Sequence, residues 1–256
     1  MSRTVAIVQA RIGSSRLPGK VLAEIGGSPL LAWVLTAAGA IAGVDEVILA
    51  TTTHPQDRSL LALADTLGAI GFAGSEQDVL DRYFQAAKQF EADAVMRITA
   101  DCPFLDPSIS RKVLEQFLQG NVDYVSNCHP CTYPDGLDTE VFSFQTLERT
   151  WKEAQLPSER EHVTPYIWKH PELFRQGSVE HSVDFSKLRW SIDEPEDLEF
   201  ARAVCARLAP AAPPYSMEQI LGVLRKSPEL GEINAMHTRN ENYYKSLEQD
   251  QKALAD

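Results

Sequence analysis

Three cations, Arg11, Arg16 and Lys20, are spaced through VQARIGSSRLPGKVL, residues 8–22, directly after an apolar run at residues 5–8. Gly13 lets backbone approach a ligand, and Ser14 and Ser15 add hydroxyls. Backbone N–H groups combined with Arg and Lys suit a polyphosphate, whose charge needs neutralising. The loop is not GxGxxG, so a dinucleotide fingerprint is excluded; it is not a Walker A loop either, because no Ser or Thr follows Gly19-Lys20. Two carboxylates stand far apart in the chain but in like settings. Asp101 ends the run RITAD, and Asp193 ends RWSID. At the carboxyl ends of two strands they would share one Mg²⁺, a hard cation that takes oxygen ligands. The alternative is that Asp193 or Glu194 caps the helix that begins near Pro195.

A second group of residues suits a sugar. YPDGLDTEVF holds Asp135, Asp138 and Glu140, and SEREHVTPY holds Arg160, Glu161 and His162. Carboxylates accept from sugar hydroxyls, and a sugar acid also requires a cation, for which Arg160 or Arg97 is available. The alternative for each acidic residue is a solvated turn, since residues 128–142 are full of turn residues. His162, placed at a helix start, is either a general base or structural. Cys128-His129-Pro130-Cys131 spells CxxC, but a redox site needs its first Cys at a helix N-terminus and structural zinc needs four ligands. Neither context is apparent here. Tyr243-Tyr244 reads as a docking or dimer contact rather than a base-stacking platform.

These residues need elements to hold them. Strands are expected at Val5–Gln9, Val47–Ala50, Ile70–Ala73 and Ala94–Ile98, with helices at Leu30–Ile41, Asp57–Leu67 and Val79–Phe90 between them. That alternation implies βαβ units and a parallel sheet, whose ligands sit beyond the strands' carboxyl ends. The second half is less regular. Helices are expected at Ile109–Phe117, Thr146–Ala154, Asp197–Leu208 and near Ile220, and strands at Asp123–Ser126, Val179–Val183 and Leu188–Ile192. APAAPPYS, residues 209–216, reads as a linker. A domain over 1–226 and a polar, helical extension over 227–256, packed on the domain or on a dimer partner, is the expected organisation. The formal net charge of −12 argues against a non-specific nucleic-acid binder, so the basic loop points to a small anion. The four cysteines make no disulfide framework, and neither a secretory leader nor a membrane span is apparent, which leaves a reducing cytoplasm as the expectation.

QARIGSSRLPGKVL resembles the signature loop of nucleotide-sugar cytidylyltransferases, the enzymes that activate 3-deoxy-manno-octulosonate and acylneuraminates with CTP. GSEQDVLDRYFQAA, RITADCPFLDP, YPDGLDTEVFSF, SEREHVTPYI, RWSIDEPEDLEF and NENYYKSL are similar to the spore-coat polysaccharide branch, in order and over nearly the whole chain. The resemblance implies an α/β, Rossmann-like (GT-A-like) three-layer sandwich with a mostly parallel sheet. It implies that Arg11 and Lys20 bind the CTP triphosphate, with Gly13, Ser14, Ser15 and Arg16 in the same loop, and that Ala10 and Arg11 approach the cytosine through backbone atoms. Asp101 and Asp193 fall on its Mg²⁺ carboxylates. Arg97, where the octulosonate branch favours a Gln nearby, is assigned to the nucleotide, and Asp138, Glu140, Arg160 and His162 to the acceptor. The implied reaction is CMP transfer from CTP to a sugar by a homodimer, with catalytic roles for Arg11, Lys20 and Asp101. Two alternatives stay open: transfer to a sugar 1-phosphate or from another NTP, and a non-catalytic nucleotide-binding protein on the same fold.

Overall fold

A computed structural model of the chain describes residues 2–208 and 213–254. Residues 209–212 of the expected linker and the last two of the tail lie outside the described residues. In chain order the strands are β1 (Thr4–Gln9), β2 (Glu24–Ile25), β3 (Ser28–Pro29), β4 (Glu46–Thr52), β5 (Ile70–Gly74), β6 (Ala94–Thr99), β7 (Tyr124–Ser126), β8 (Glu140–Ser143) and β9 (Gln176–Ser178). The helices are α1 (Leu30–Gly39), α2 (Arg58–Thr66), α3 (Val79–Gln89), α4 (Pro107–Leu118), α5 (Phe144–Glu153), α6 (Pro157–His162), α7 (Pro165–Lys169), α8 (Pro195–Leu208), α9 (Met217–Lys226) and α10 (Glu241–Ala253).

The main sheet runs β5-β4-β1-β6-β8-β7-β9. Pairings from β5 to β6 are parallel, β8 is antiparallel to both neighbours, and β9 is parallel to β7. β1 is apolar at nearly every position because it is central and covered on both faces. Its Ala6 and Val8 join the core under α1, α4 and α8, while Val5 and Ile7 join the core under α3 and α5. Helices on both faces of a mostly parallel sheet make the expected three-layer α/β sandwich.

Gln9 pairs with Thr99, so β1 and β6 end level with one another. The basic loop and Asp101 therefore leave the sheet side by side. Thr99 is followed at once by the turn that carries Asp101.

Three expectations need correction. Glu140–Ser143, read as part of a turn-rich stretch, is the strand that joins β6 to β7. Its polar first residue hid it: Glu140 is buried because it pairs with Arg97 across the strands. Val179–Val183 is not a strand; β9 lies just before it, and the segment bends where the His181 N–H donates to Thr132. Leu188–Ile192 is not a strand either. Leu188 and Trp190 bond to Asp135, whereas the Ile192 N–H donates to the Asp101 carbonyl, so the segment bridges two loops instead of one ladder. Gly136 makes that bridge possible. Its φ is +104°, and an added Cβ would sit 2.7 Å from the backbone of Trp190 and Ser191.

The residues after α9 pack on the rest of the chain. A 3-10 turn at Pro228–Glu232 leads to α10, which packs on α6. Within the described residues no helix is long and apolar enough to cross a membrane.

Candidate active site

The basic loop is a closed ring. The Ile12 carbonyl accepts from both Ser14 N–H (2.8 Å) and Gly19 N–H (3.0 Å). Gly19, at φ +73°, turns the chain into a 3-10 turn at Lys20–Leu22, anchored by buried Val21. A residue outside the loop pins it. Buried Asp57 accepts from the Ile12 N–H (2.8 Å) and from the Thr52 hydroxyl. The sequence signalled only a helix start there. Asp57→Ala is expected to cost about 1–3 kcal/mol, because it leaves the partly buried Ile12 N–H and the buried Thr52 hydroxyl without this partner. It should also weaken nucleotide binding roughly tenfold by loosening the ring, about 1.4 kcal/mol. Urea denaturation and a nucleotide titration of the same variant check both.

Lys20 is the centre of the site. Its Nζ donates to Asp101 Oδ2 (2.9 Å), Asp193 Oδ1 (2.8 Å) and the Ile192 carbonyl (2.7 Å). Burial works against its charge, but the two carboxylates prevail and raise its pKa. Burial likewise works against charge on Asp101, and Lys20 with a Thr99 hydrogen bond prevails, holding that carboxyl below its usual range. Asp101 and Asp193 thus converge on one cationic point although residues 188–192 form no strand. Lys20 Nζ fills the point between the two carboxylates, and Asp193 is also held by Arg16 and Arg189. Mg²⁺, which binds through one or two carboxylates plus substrate phosphates, would therefore take this pair only by displacing the ammonium.

Arg16 continues the cluster with Asp193 (2.6 Å) and Glu194 (3.3 Å). Behind it lies a network the sequence did not reveal. Arg189 donates to both oxygens of buried Asp197 (2.9 Å each) and to Asp193 (3.2 Å), and Asn234 donates to Asp197 (2.9 Å). Asp197 also accepts the N–H groups of Asp193 and Glu194 (2.9 Å each), while the Glu194 carbonyl accepts from Asp197 N–H (3.1 Å) and Leu198 N–H (3.4 Å), so the Glu194 backbone and the Asp197 carboxylate together serve the start of α8. The Glu194-to-Asp197 spacing, an acidic residue three places after a helix start, was the available signal.

A cavity of about 300 Å³ opens beside these groups. Ala10, Arg11, Ser14, Ser15, Arg16, Lys20, Arg97, Asp101, Asp138, His162 and Asp193 all line it, while Gly13 lies outside it against Gln56. Arg11 is exposed at its mouth. A second cavity of about 320 Å³ shares Arg97, Asp138 and His162 with the first and adds Glu140.

Arg160 lines neither cavity, contrary to its assignment from sequence. Its guanidinium holds Asp78 and the Trp151 carbonyl (2.7 Å) instead. His162 ends α6 rather than starting a helix. Burial pushes its pKa down to about 4, and its Nε2 is 2.9 Å from the Ser246 hydroxyl, so it is a neutral, tethered imidazole and a weak base. Asp135 sits between Arg189 (3.5 Å) and Ser191 (3.1 Å), yet burial and Asp138 push its carboxyl up to about 7.

Among the described residues, one group of three could hold a metal: Cys128, His129 and Glu140. Both Glu140 oxygens are already taken, by Arg97 and by Tyr124 (2.6 Å), and burial raises the Cys128 thiol well above its usual value. That set does not favour a metal.

A family model described as cytidylyltransferase matches residues 5–229, spanning the loop, both carboxylates and the whole sheet. The chain belongs to the cytidylyltransferase family. This cytidylyltransferase is 30% identical over 236 residues to the spore coat polysaccharide biosynthesis protein SpsF of Bacillus subtilis, covering 90% of this chain and 97% of that one. A solved cytidylyltransferase structure from Leptospira borgpetersenii superposes with a TM-score of 0.86 at 31% identity, covering 90% of this chain and 97% of that one. A solved CMP:2-keto-3-deoxy-manno-octonic acid synthetase complexed with CTP, at 20% identity, has a TM-score of 0.64 over 80% of this chain and 99% of that one, a likeness of fold. The enzyme is a CTP-dependent nucleotidyltransferase.

Proposed function

We propose that this cytidylyltransferase transfers CMP from CTP to a hydroxyl of a 2-keto sugar acid for surface-glycan synthesis, releasing pyrophosphate. The observation that carries the reading is the convergence of Asp101, Asp193 and Lys20 beside a closed basic loop at the level ends of β1 and β6. The name of SpsF supports a role in polysaccharide synthesis, and a relative named 3-deoxy-manno-octulosonate cytidylyltransferase, 36% identical over half of this chain, supports the sugar-acid acceptor.

In the reaction the oxygen of a sugar hydroxyl bonds to the α-phosphorus and its proton passes to water, the bond from that phosphorus to the bridging oxygen breaks, and pyrophosphate leaves with the electron pair. Such transfers depend on positioning and charge neutralisation more than on covalent catalysis. The site matches this, since burial keeps the Cys102 thiol beside Asp101 protonated. Asp101 and Asp193 would hold Mg²⁺, which when bound neutralises phosphate oxygens. Lys20 and Arg16 offset the charge that builds on the departing pyrophosphate, and Arg11 adds to the field at the mouth. The Ser14 and Ser15 hydroxyls orient the triphosphate, and the fork of Arg97, lining both cavities, faces the place where nucleotide and acceptor meet.

Pyrophosphate release with CTP, UTP, ATP and GTP, each with a 2-keto sugar acid or a sugar 1-phosphate, tests this. CTP with the sugar acid is expected to win by roughly tenfold or more, about 1.4 kcal/mol of discrimination. Equal release from all four nucleotides would refute the cytidylyl reading, and preference for a sugar 1-phosphate would refute the acceptor class.

A further inference from the structure

The segment Asn234–Tyr244 crosses the site as a strap, and the family match ends before it, at residue 229. Both ends of the strap are anchored in the domain. On one side buried Asn234 donates to the Arg189 carbonyl (3.0 Å) and Asp197 (2.9 Å), and Arg189 donates to the Thr238 carbonyl (3.0 Å). On the other, α10 holds α6: buried Asp250 accepts from the Ser158 N–H (2.8 Å) and hydroxyl (2.6 Å), and Ser246 meets His162 (2.9 Å). Between these anchors Arg239 binds Asp138 and the Tyr133 carbonyl (3.1 Å). Asn240 and Tyr243 line both cavities.

The second cavity has two kinds of wall. One is aromatic: Tyr243 lies 5.6 Å from Trp168 between ring centroids, and Trp168 lies 4.8 Å from His129. The other is polar, with Asp138, Glu140, Arg97 and Arg239. A sugar ring needs both, because its C–H face is apolar and its edge carries hydroxyls. A carboxylate on that ring suits a guanidinium, and Arg97, whose Nη1 pairs with Glu140, lines both cavities.

We infer that the strap forms the acceptor subsite, with Tyr243 as the residue that discriminates sugar-acid rings. This rests on the cytidylyltransferase reading and extends it to residues that the family match does not reach. Anchoring at both ends holds the Tyr243 ring in place before the sugar arrives, which lowers the cost of ordering it on binding. A cytosine stacked on Tyr243 is the competing occupant.

The test compares full-length wild type with Tyr243→Ala and Tyr243→Phe. Saturation-transfer NMR reads binding of 3-deoxy-manno-octulosonate and of N-acetylneuraminate, and calorimetry reads CTP with Mg²⁺. Expected are a loss of sugar binding by at least about tenfold in Tyr243→Ala, wild-type sugar binding in Tyr243→Phe, and the same CTP affinity in all three. Equal sugar binding by Tyr243→Ala and wild type would overturn the inference, and so would no sugar binding by wild type. A loss of CTP binding in Tyr243→Ala would overturn it in favour of the base. Failure of wild type to bind CTP at all would instead strike the underlying cytidylyltransferase reading. An unfolded Tyr243→Ala protein transfers the same comparison to Tyr243→Leu, which keeps bulk without the ring.

Discussion

Asp101→Asn is expected to lower kcat about 10³-fold, the scale seen when one preorganised electrostatic group is removed from an active site. The substitution keeps the shape of the side chain and an oxygen that accepts from Lys20. It removes the charge that meets Lys20 Nζ at 2.9 Å and half of the carboxylate pair. Two consequences separate the catalytic role from a structural one. The Mg²⁺ concentration for half-maximal activity should rise about 10–100-fold, as it does when a metal's ligand environment is weakened. Stability should fall by only about 1–3 kcal/mol, because Asp193 and the Ile192 carbonyl still receive the Lys20 ammonium. A pyrophosphate-coupled assay across a Mg²⁺ series, with urea denaturation of the same preparation, reads all three. A folded Asp101→Asn enzyme within threefold of wild type would sink the assignment.

Asp101 was legible in the sequence because everything that places it is local. An apolar run, one polar register step and a turn deliver it to the end of β6, and the alternation of strands and helices puts β1 next door. The same local logic covers Lys20 and the first four long strands of the sheet. It fails where a tertiary partner decides. Glu140 looks like a turn carboxylate until Arg97 is set opposite it. Arg160 looks available until Asp78, 82 residues away in sequence, takes its guanidinium. Asp57 and Asp197 read as helix-start residues, and each holds part of the site through backbone N–H groups that no side-chain pattern displays. Asp193 was placed rightly for a wrong reason: no strand carries it, and its position comes from a segment strung between the loops of Asp101 and Asp135.

Glu140→Gln is expected to cost about 3–5 kcal/mol of stability, the cost of removing one partner from a buried ion pair. Glu140 is 3% exposed and accepts from Arg97 and from the buried Tyr124 hydroxyl at 2.6 Å. Burial alone would raise its carboxyl; Arg97 and Tyr124 among its neighbours hold it below the usual range instead. Gln keeps the volume and an acceptor, so the loss isolates the charge. Arg97→Met should cost a similar amount by leaving Glu140 unpaired. The double variant, Arg97→Met with Glu140→Met, should recover most of that loss, since apolar residues of similar volume remove both desolvation penalties together. Urea midpoints at constant m-value for Arg97→Met, Glu140→Met and the double variant, arranged as a double-mutant cycle, measure the coupling. If the three variants lose stability additively, the pair is not a unit and the strand join between β6 and β8 owes its stability to packing alone. The double variant carries a second reading. Arg97 lines both cavities, so a protein restored in stability is still expected to be inactive, and recovery of turnover with stability would remove Arg97 from the site. The same ion pair therefore ties the antiparallel half of the sheet to the parallel half and sets a guanidinium at the junction of the two cavities.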